Sequence, residues 1–447
     1  MAFSKFFGRG RDAAPPAAEP VAEPADDPSD DESSVDSDPD DASPESSADR
    51  SWRERAEIAL PTGASTGSKR AAALWGDEAP VDLPTHFVSA RGCRVVDVDG
   101  NRYIDCTMAL GAVGLGYAEP RVTRAVQDAA AEGNVAAFSS WREVELAERL
   151  RVVIPCAEQV QLLKSGAEAT AAAVRVARTY TGRDRVVASG YFGWHDWSAD
   201  AAGVPSGVRA DTTRVPFDDV AALERAVDDA GAGLAAIVLE PIVERLPSPE
   251  WLRRARELCD AKGAVLVFDE IKTGFRVAPG GYQEVCGVTP DLATFGKAMA
   301  NGYPLVALVG RQSIMEAAQR TWISSTLASE STALAAALAV LDWHEEADIC
   351  ATLADTGREL RAALERAIAA SGVEGVQVAG VDTMLLIRWD DPLRESHFVQ
   401  EGARAGVLFK RGAYDYPAIA HDDEALREIE AAASGALVAL AEREGTR

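Results

Sequence analysis

The strongest constraint on the fold of this chain is a series of short apolar runs with segments of helical pattern between several of them. The runs are continuously apolar instead of alternating with polar residues, which indicates strands that are buried on both faces. Such strands, separated by helices, predict a mainly parallel sheet in an α/β fold, with ligands at the carboxyl ends of the strands. The runs are VQLLK (160–164), RVVAS (185–189), AAIVLEP (235–241), AVLVFDE (264–270), LATFG (292–296) and LVALVG (305–310).

The segments on either side of these runs predict a second, smaller α+β unit. Residues 95–106 alternate apolar and polar around Asp99-Gly100, which is the pattern of a hairpin. After about residue 332 the chain reads as a long helix, then as further helices and short strands. We therefore predict a disordered acidic extension (1–50), an N-terminal segment of the small domain (51–105), a large ligand-binding domain (106–335) and a C-terminal small domain (336–447).

The extension is defined by its composition. Residues 12–50 are rich in Asp, Ser, Pro and Ala and contain few large apolar side chains, so little burial offsets the entropy lost on ordering. The first 50 residues hold 14 of the 71 acidic residues and 4 of the 45 basic ones, which leaves the rest of the chain acidic as well. This charge opposes binding to nucleic acid. Folded structure is expected to begin near Trp52.

Several other classes of protein are disfavoured by the sequence. There is no apolar stretch of eighteen residues and no secretory h-region, so we expect a cytoplasmic protein without a membrane span. Six cysteines and five histidines are scattered without ligand spacing, and no metal site is expected.

Two charged residues stand at the ends of neighbouring apolar runs. Asp269 closes AVLVFDE, and Lys297 follows LATFG directly after Gly296. A carboxylate at the end of a buried strand needs a charged or strongly donating partner, and a lysine in this position can act as a Schiff-base nucleophile. Taken alone, the Asp269-Glu270 pair would be read as a helix cap or a structural ion pair.

A third element suits a phosphate group. The segment LLKSGAEATAAAVRVAR (162–178) runs from an apolar strand through Ser165 and Gly166 into a helical sequence. The backbone N–H groups of Gly166 and Ala167 and the helix dipole would favour an anion. By itself this is an ordinary strand-to-helix turn. Together with the acid and the lysine, however, it supplies what pyridoxal 5′-phosphate (PLP) requires: an aldimine lysine, a carboxylate for the pyridine nitrogen and a phosphate site.

The chain also resembles a known family, the class III (fold type I) PLP-dependent aminotransferases, and within it the glutamate-1-semialdehyde 2,1-aminomutase-like branch. The resemblance covers roughly residues 55–435. It rests on these motifs, in order: VDVDGNRYID (96–105), SGAEAT (165–170), YFGWHD (191–196), VLEP (238–241), VFDEIKTGFR (267–276), DLATFGKAMANGYP (291–304) and SSTLASE (324–330).

The resemblance implies roles for individual residues. Lys297 would be the aldimine lysine and proton carrier, and Asp269 the partner of the pyridinium. Ser165, Gly166 and Ala167 would form the phosphate site, with Tyr191 and Ile271 on the two faces of the ring. Thr326 would reach the phosphate of a neighbouring subunit, which implies a homodimer.

Substrate contacts are implied by three further residues. In PTGASTGSKR (61–70), Lys69 or Arg70 would bind a substrate carboxylate, although a solvated pair on a mobile loop is an equal alternative. Glu240 matches a position near the cofactor ring, and a purely structural acid is as good an interpretation. Phe192 stands where many relatives have histidine, and residues 406–426 resemble variants of the branch in polysaccharide or natural-product gene sets.

The predicted reaction is an amino transfer between an amino donor and a keto or aldehyde acceptor. The alternative is intramolecular transfer by an aminomutase with the same cofactor site, which sequence patterns do not distinguish. An NAD-dependent oxidoreductase is disfavoured because GAVGLG (111–116) lacks the GxGxxG order. A non-catalytic scaffold is disfavoured because Lys297, Asp269 and Tyr191 are all present.

Overall fold

The computed structural model describes residues 48–445. Most of the predicted extension lies outside this range, but its last residues do not: Ala48 to Arg50 form the first turn of helix α1. The helices are α1 (Ala48–Ala59), α2 (Ala71–Trp75), α3 (Met108–Gly111), α4 (Pro120–Glu132), α5 (Trp141–Val153), α6 (Gly166–Thr181), α7 (Ser206–Ala210), α8 (Val220–Ala230), α9 (Pro249–Lys262), α10 (Gln283–Cys286), α11 (Gln312–Met315), α12 (Ser331–Glu346), α13 (Ile349–Ser371), α14 (Pro392–Arg404) and α15 (Asp423–Gly445).

Thirteen strands are found in the described part of the chain. They are β1 (Phe87–Arg91), β2 (Arg94–Asp97), β3 (Arg102–Asp105), β4 (Gln159–Leu163), β5 (Arg185–Ser189), β6 (Thr212–Arg214), β7 (Leu234–Leu239), β8 (Val265–Asp269), β9 (Leu292–Phe295), β10 (Val306–Gly310), β11 (Val376–Val381), β12 (Met384–Trp389) and β13 (Val407–Leu408). All six predicted apolar runs contain a strand, at nearly the predicted residues.

The predicted α/β fold is confirmed by the central sheet. Seven strands lie in the order β4-β10-β9-β8-β7-β5-β6. All of them run in one direction except β10, which is antiparallel to both of its neighbours. An apolar run carries no information about direction, so this reversal could not be predicted.

The two faces of the sheet are covered by separate apolar cores. Along β8, Leu266 and Phe268 belong to one core, whereas Val265 and Val267 belong to the other. All five β8 residues are buried. The uninterrupted apolar pattern therefore arises because both faces of each central strand exclude water.

The flanking segments form smaller sheets. β2 and β3 form the predicted antiparallel hairpin around Asp99-Gly100, and β13 from the C-terminal part pairs in parallel with β3. β11 and β12 form a second hairpin. The pairing of β3 with β13 joins residues 87–105 to the C-terminal part of the chain.

A left-handed turn follows β3. Met108, Ala109 and Leu110 have φ values of 41°, 51° and 58°, and Gly111 continues the turn at 79°. This conformation is costly for residues with a Cβ atom, so the surroundings must hold it. Asp105 accepts hydrogen bonds from the N–H groups of Thr107 (2.6 Å) and Met108 (3.3 Å) at its start.

Arg276 holds the far end of this turn. Its buried guanidinium donates to the carbonyl oxygens of Gly111 and Val113 on one side and of Thr383 and Pro417 on the other. The turn is thereby tied to the C-terminal part of the chain.

Candidate active site

A cavity of about 410 Å³ opens at the carboxyl ends of the parallel strands. The residues that line it follow β4, β5, β7, β8 and β9, and the loop before β10 adds one wall, because that strand runs the opposite way. The lining residues are Ala112, Lys164 to Ala167, Tyr191 to Trp194, Glu240, Asp269, Ile271, Lys272, Lys297 and Gly302 to Val306.

Lys297 lies in this cavity, two residues after β9. Its backbone is left-handed, with φ of 48°, and the preceding Gly296 allows a close approach: a Cβ atom there would lie 2.7 Å from Val306 Cγ1 and 3.0 Å from Ile271 Cδ1. Burial and the neighbouring cation of Lys272 lower the pKa of Lys297 to about 8. A fraction of the amine is therefore neutral, and nucleophilic, near neutral pH.

Asp269 ends β8, the strand beside β9. Its Oδ1 accepts hydrogen bonds from Thr294 Oγ1 (2.8 Å) and from the N–H of Ile271 (3.1 Å). Burial, and secondly the carboxylate of Glu240, raise the pKa of Asp269 to about 7. A carboxyl group in this state gains from a cation placed against it, and a protonated pyridine nitrogen is such a cation.

The predicted phosphate site is the N-terminus of α6. Ser165 is the N-cap, and its hydroxyl takes part in a capping box with Glu168, accepting from the Glu168 N–H at 3.3 Å. The N–H groups of Gly166 and Ala167 belong to the first turn, where they have no partner within the helix. An anion would therefore be bound by these amides, with the Ser165 hydroxyl already engaged.

The two predicted ring contacts differ in their burial. Ile271 is partly buried and lies between the α6 terminus and the Lys297 turn. Tyr191 is 75% exposed at the mouth of the cavity. Its position is set through the backbone, since its N–H donates to Glu240 Oε2 at 2.8 Å.

Two features of the site were not predicted. Gly193, with φ of 86°, lies so close to the α6 terminus that a Cβ atom would stand 2.5 Å from that of Ala167. Lys272 lines the cavity and forms an ion pair with Glu240. The small number of lysines could have drawn attention to Lys272 in the sequence. The chain has only seven, and three of them line this cavity.

The other predicted contacts are not brought into the cavity by this chain. Lys69 and Arg70 are exposed on a short 3₁₀ turn and at the start of α2. Thr326 is exposed and lines a second cavity, of about 400 Å³, with residues 132–142 and 329–331. The predicted residues that the fold does bring together in the first cavity are Ser165 to Ala167, Tyr191, Glu240, Asp269, Ile271 and Lys297.

The arrangement fits PLP. An amine of lowered pKa and a buried carboxyl group end adjacent strands, and a helix N-terminus with unpaired amides lies at the same edge of the sheet. Bound there, the cofactor supplies an electron sink for a substrate amine.

Comparison with characterised proteins gives relatives of the same kind. The chain is 36% identical to a 3-aminobutyryl-CoA aminotransferase of Cloacimonas acidaminovorans, over 78% of this chain and 87% of the relative. It is 37% identical to a 2'-deamino-2'-hydroxyneamine transaminase of Streptomyces kanamyceticus (65% and 74%), and 34% identical to a glutamate-1-semialdehyde 2,1-aminomutase of Anaeromyxobacter dehalogenans (78% and 90%).

Solved structures agree with the predicted fold. The PLP internal aldimine form of the Sphingopyxis sp. MTA144 FumI protein superposes with a TM-score of 0.84 at 28% identity, covering 89% of this chain and 97% of that one. An omega-transaminase from Sphaerobacter thermophilus gives 0.80 at 26% identity, covering 89% and 99%.

The family itself is established by its sequence model. The model described as Aminotransferase class-III matches residues 77–419. This match and the relatives confirm the predicted family, its PLP cofactor and amino transfer as the class of reaction. The chain belongs to the class-III aminotransferase family.

Proposed function

We propose that this chain catalyses PLP-dependent transfer of an amino group from an amino donor to a separate keto or aldehyde acceptor. The observation that carries the proposal is the joint placement of Lys297 and Asp269 at the ends of adjacent strands, in one cavity with the N-terminus of α6. Each of these features has an ordinary explanation alone, but one ligand accounts for all three.

Lys297 is assigned the chemical role. Its amine would hold the cofactor through the cofactor's aldehyde group, and the same amine would take up and release the substrate proton. A pKa of about 8 suits both tasks, because the amine can take up and release a proton near neutral pH.

Asp269 is assigned an electrostatic role. Its carboxylate would hold the pyridine nitrogen and favour the protonated form of that nitrogen. Thr294 and the Ile271 amide fix the orientation of the carboxylate. Gly166 and Ala167 would bind the phosphate through their amides, and Tyr191 and Ile271 would flank the ring. Lys69 or Arg70 remains the proposed contact for a substrate carboxylate.

The cofactor assignment is tested by absorbance. Purified protein with added PLP is expected to show a band near roughly 410 to 430 nm, and borohydride should fix the cofactor covalently on Lys297, as peptide mapping would detect. Lys297→Ala should lose the covalent label, whereas Lys262→Ala, at a surface ion pair with Asp228, should keep it. Labelling at another lysine would contradict the assignment.

The aminomutase is the second candidate function, because one relative of that name is 34% identical over 78% of the chain. The two reactions differ in their need for a second substrate. A transaminase is supported if each bound cofactor reacts with only one molecule of amino donor until a carbonyl acceptor is added. Sustained turnover of a single amino aldehyde without acceptor would support the mutase.

A homodimer is part of the proposal. Phe138 (89% exposed), Trp141 (57%), Trp322 (80%) and Leu327 (53%) lie near Thr326 in the second cavity or beside it along the chain. Large apolar side chains exposed together mark an interaction surface. In a homodimer, Thr326 of one subunit could lie at the phosphate site of the other. This would explain why Thr326 does not line the cofactor cavity of the chain to which it belongs.

Mixed dimers test this arrangement. Lys297→Ala and Thr326→Ala homodimers should both have low activity, through loss of the amine and weakened phosphate binding. A dimer with one subunit of each should regain one intact site, because Lys297 and Thr326 of that site come from different chains. No recovery on mixing would place Thr326 outside the site.

The remaining assignments concern the whole chain. We propose the division into 51–105, 106–335 and 336–447, and a cytoplasmic location. Between residues 48 and 445, none of the helices has both the length and the apolar character needed to cross a bilayer.

A further inference from the structure

Lys272 is a second lysine inside the cavity. Its side chain is 9% exposed, and its Nζ lies 2.9 Å from Glu240 Oε1 and 4.7 Å from the centre of the Tyr414 ring. Burial would lower the pKa of Lys272, but the Glu240 carboxylate together with Tyr414 and Tyr416 outweighs this effect and raises the pKa, so the lysine stays charged. Because desolvation largely offsets the attraction within buried ion pairs, stability alone is a weak reason for such a pair.

Glu240 connects this lysine to the segment at the mouth of the cavity, residues 190–193, here called the mouth turn. Its Oε2 accepts the N–H of Tyr191 at 2.8 Å. Gly190, with φ of 130°, packs directly on it, since a Cβ atom there would lie 2.8 Å from Glu240 Cβ. The two oxygens of the Glu240 carboxylate therefore have different partners. Oε1 pairs with Lys272, in the turn after β8, and Oε2 accepts from Tyr191, in the mouth turn.

The other end of the mouth turn rests on the phosphate site. Gly193 contacts Ala167 so closely that no Cβ atom fits between them. Two further groups support the mouth turn: Arg214 donates to the Gly190 carbonyl, and Thr170 Oγ1 donates to the Phe192 carbonyl at 3.0 Å. A shift of Glu240 would thus be passed along the mouth turn to the amides that bind phosphate.

We propose that Lys272 is a positioning residue: it fixes Glu240, and through Glu240 it holds the mouth turn over the cofactor site. The consequence of this positioning for catalysis rests on the proposed function. The mechanical link from Lys272 to the mouth turn is independent of that function. The lysine acts by way of the carboxylate and is not assigned a contact with substrate.

The same lysine also acts on the reactive amine. The charged groups that bear on Lys297 are Lys272, Glu240, Asp269 and Arg276, and after burial Lys272 has the largest effect, which lowers the pKa of Lys297. Loss of the Lys272 charge would remove this repulsion, while Asp269 would still favour the protonated amine. The Lys297 amine would then hold its proton to higher pH.

Hydrogen exchange of the protein without substrate or cofactor tests the mechanical link. In Lys272→Met the unpaired Glu240 carboxylate is expected to turn toward water and release the Tyr191 amide, so exchange within residues 190–193 should become faster, on the order of tenfold. Lys262→Met, which removes a surface lysine paired with Asp228, should exchange like the parent protein.

A double variant shows whether Lys272 acts through Glu240. In Lys272→Met with Glu240→Gln, the neutral amide oxygen can still accept the Tyr191 N–H and has no charge to hydrate, so exchange should return toward that of the parent. If Lys272→Met fails to fold, folding of the double variant with parent-like exchange supports the same link. Unchanged exchange in Lys272→Met, or a double variant at least as fast as the single one, would overturn the proposal.

The pH dependence of cofactor capture gives a second readout. The rate at which the apoprotein captures PLP should rise as Lys297 loses its proton, and in Lys272→Met the midpoint should move upward by about one pH unit. An unmoved midpoint would refute the effect on Lys297. A parent protein that captures no PLP at any pH would instead contradict the proposed function and leave the exchange result standing.

Discussion

At the scale of single residues, the burial of the Asp269 carboxyl group destabilises the folded apoprotein at neutral pH. The pKa of this carboxyl group is about 7 in the folded chain and about 3.9 in an unfolded one. Between these values the folded state binds the proton that the unfolded state has lost, so this group makes the apoprotein progressively less stable as pH rises from about 4 to about 7, and the loss is complete above that.

Asp269→Asn removes this titration. The apo variant is therefore expected to be more stable than the apo parent, by an amount that grows between about pH 4 and 7 to an upper bound of roughly 4 kcal/mol. Urea denaturation of both apoproteins at several pH values measures the difference. The same substitution should abolish turnover, because an amide does not keep the pyridine nitrogen protonated. Equal stability at pH 8 would contradict the assigned environment of Asp269.

Gly193 offers a matched comparison of two glycines. Gly193→Ala is expected to weaken PLP binding at least tenfold, because the added methyl group would stand 2.5 Å from Ala167 Cβ and displace the phosphate site. Gly203→Ala imposes the same backbone cost at a nearly equal φ of 92°, yet its Cβ meets nothing within 4 Å. It should cost about 1 kcal/mol of stability and leave PLP affinity unchanged. Equal affinities in both variants would show that the contact with Ala167 is unimportant.

At the scale of elements, the left-handed turn at Met108–Gly111 depends on Arg276. Arg276→Lys keeps the charge but does not reach four carbonyl groups on two sides, so some of them lose their partner in a buried site. Each such loss costs about 1–3 kcal/mol. We expect a decrease in unfolding free energy of roughly 3 kcal/mol or more, measured by urea denaturation.

An exposed arginine provides the control. Arg185 donates to the carbonyl of Asp229 at the surface, where water can replace it, and Arg185→Lys should cost less than about 1 kcal/mol. Similar losses for the two variants would mean that the guanidinium of Arg276 does not hold the turn.

These elements also mark how far sequence reasoning reaches. The strands β7, β8 and β9 were predicted because burial on both faces leaves an uninterrupted apolar pattern, and Asp269 and Lys297 stand out as the charged residues that end it at β8 and β9. The left-handed turn has no such signal: Met108, Ala109 and Leu110 carry no preference for positive φ, and the groups that hold it through Arg276 lie up to 309 residues away, at Pro417. The role of Lys272 was missed for the same reason, since Glu240 becomes its partner only in the folded chain.

At the scale of the whole molecule, the first helix is tied to the chain by Asp49. Its buried carboxylate accepts hydrogen bonds from the N–H groups of Thr85 (2.9 Å) and His86 (2.8 Å) and from Thr85 Oγ1 (2.7 Å). Deleting residues 1–47 is expected to leave turnover, dimerisation and stability unchanged. Deleting residues 1–50, or making Asp49→Ala in the full chain, should cost about 1–3 kcal/mol in thermal or urea unfolding. A loss of activity in the shorter deletion would contradict a dispensable extension.

The reversed strand β10 has a consequence for the size of the ligand. It lies between β4, which leads into the amides proposed to bind phosphate, and β9, which leads to Lys297. Since neighbouring strands are about 4.8 Å apart, these two anchoring points begin two strand widths, or on the order of 10 Å, from each other. The backbone spacing of the sheet therefore sets the length that a molecule needs in order to contact both Lys297 and the N-terminus of α6. Side-chain substitutions do not alter this spacing.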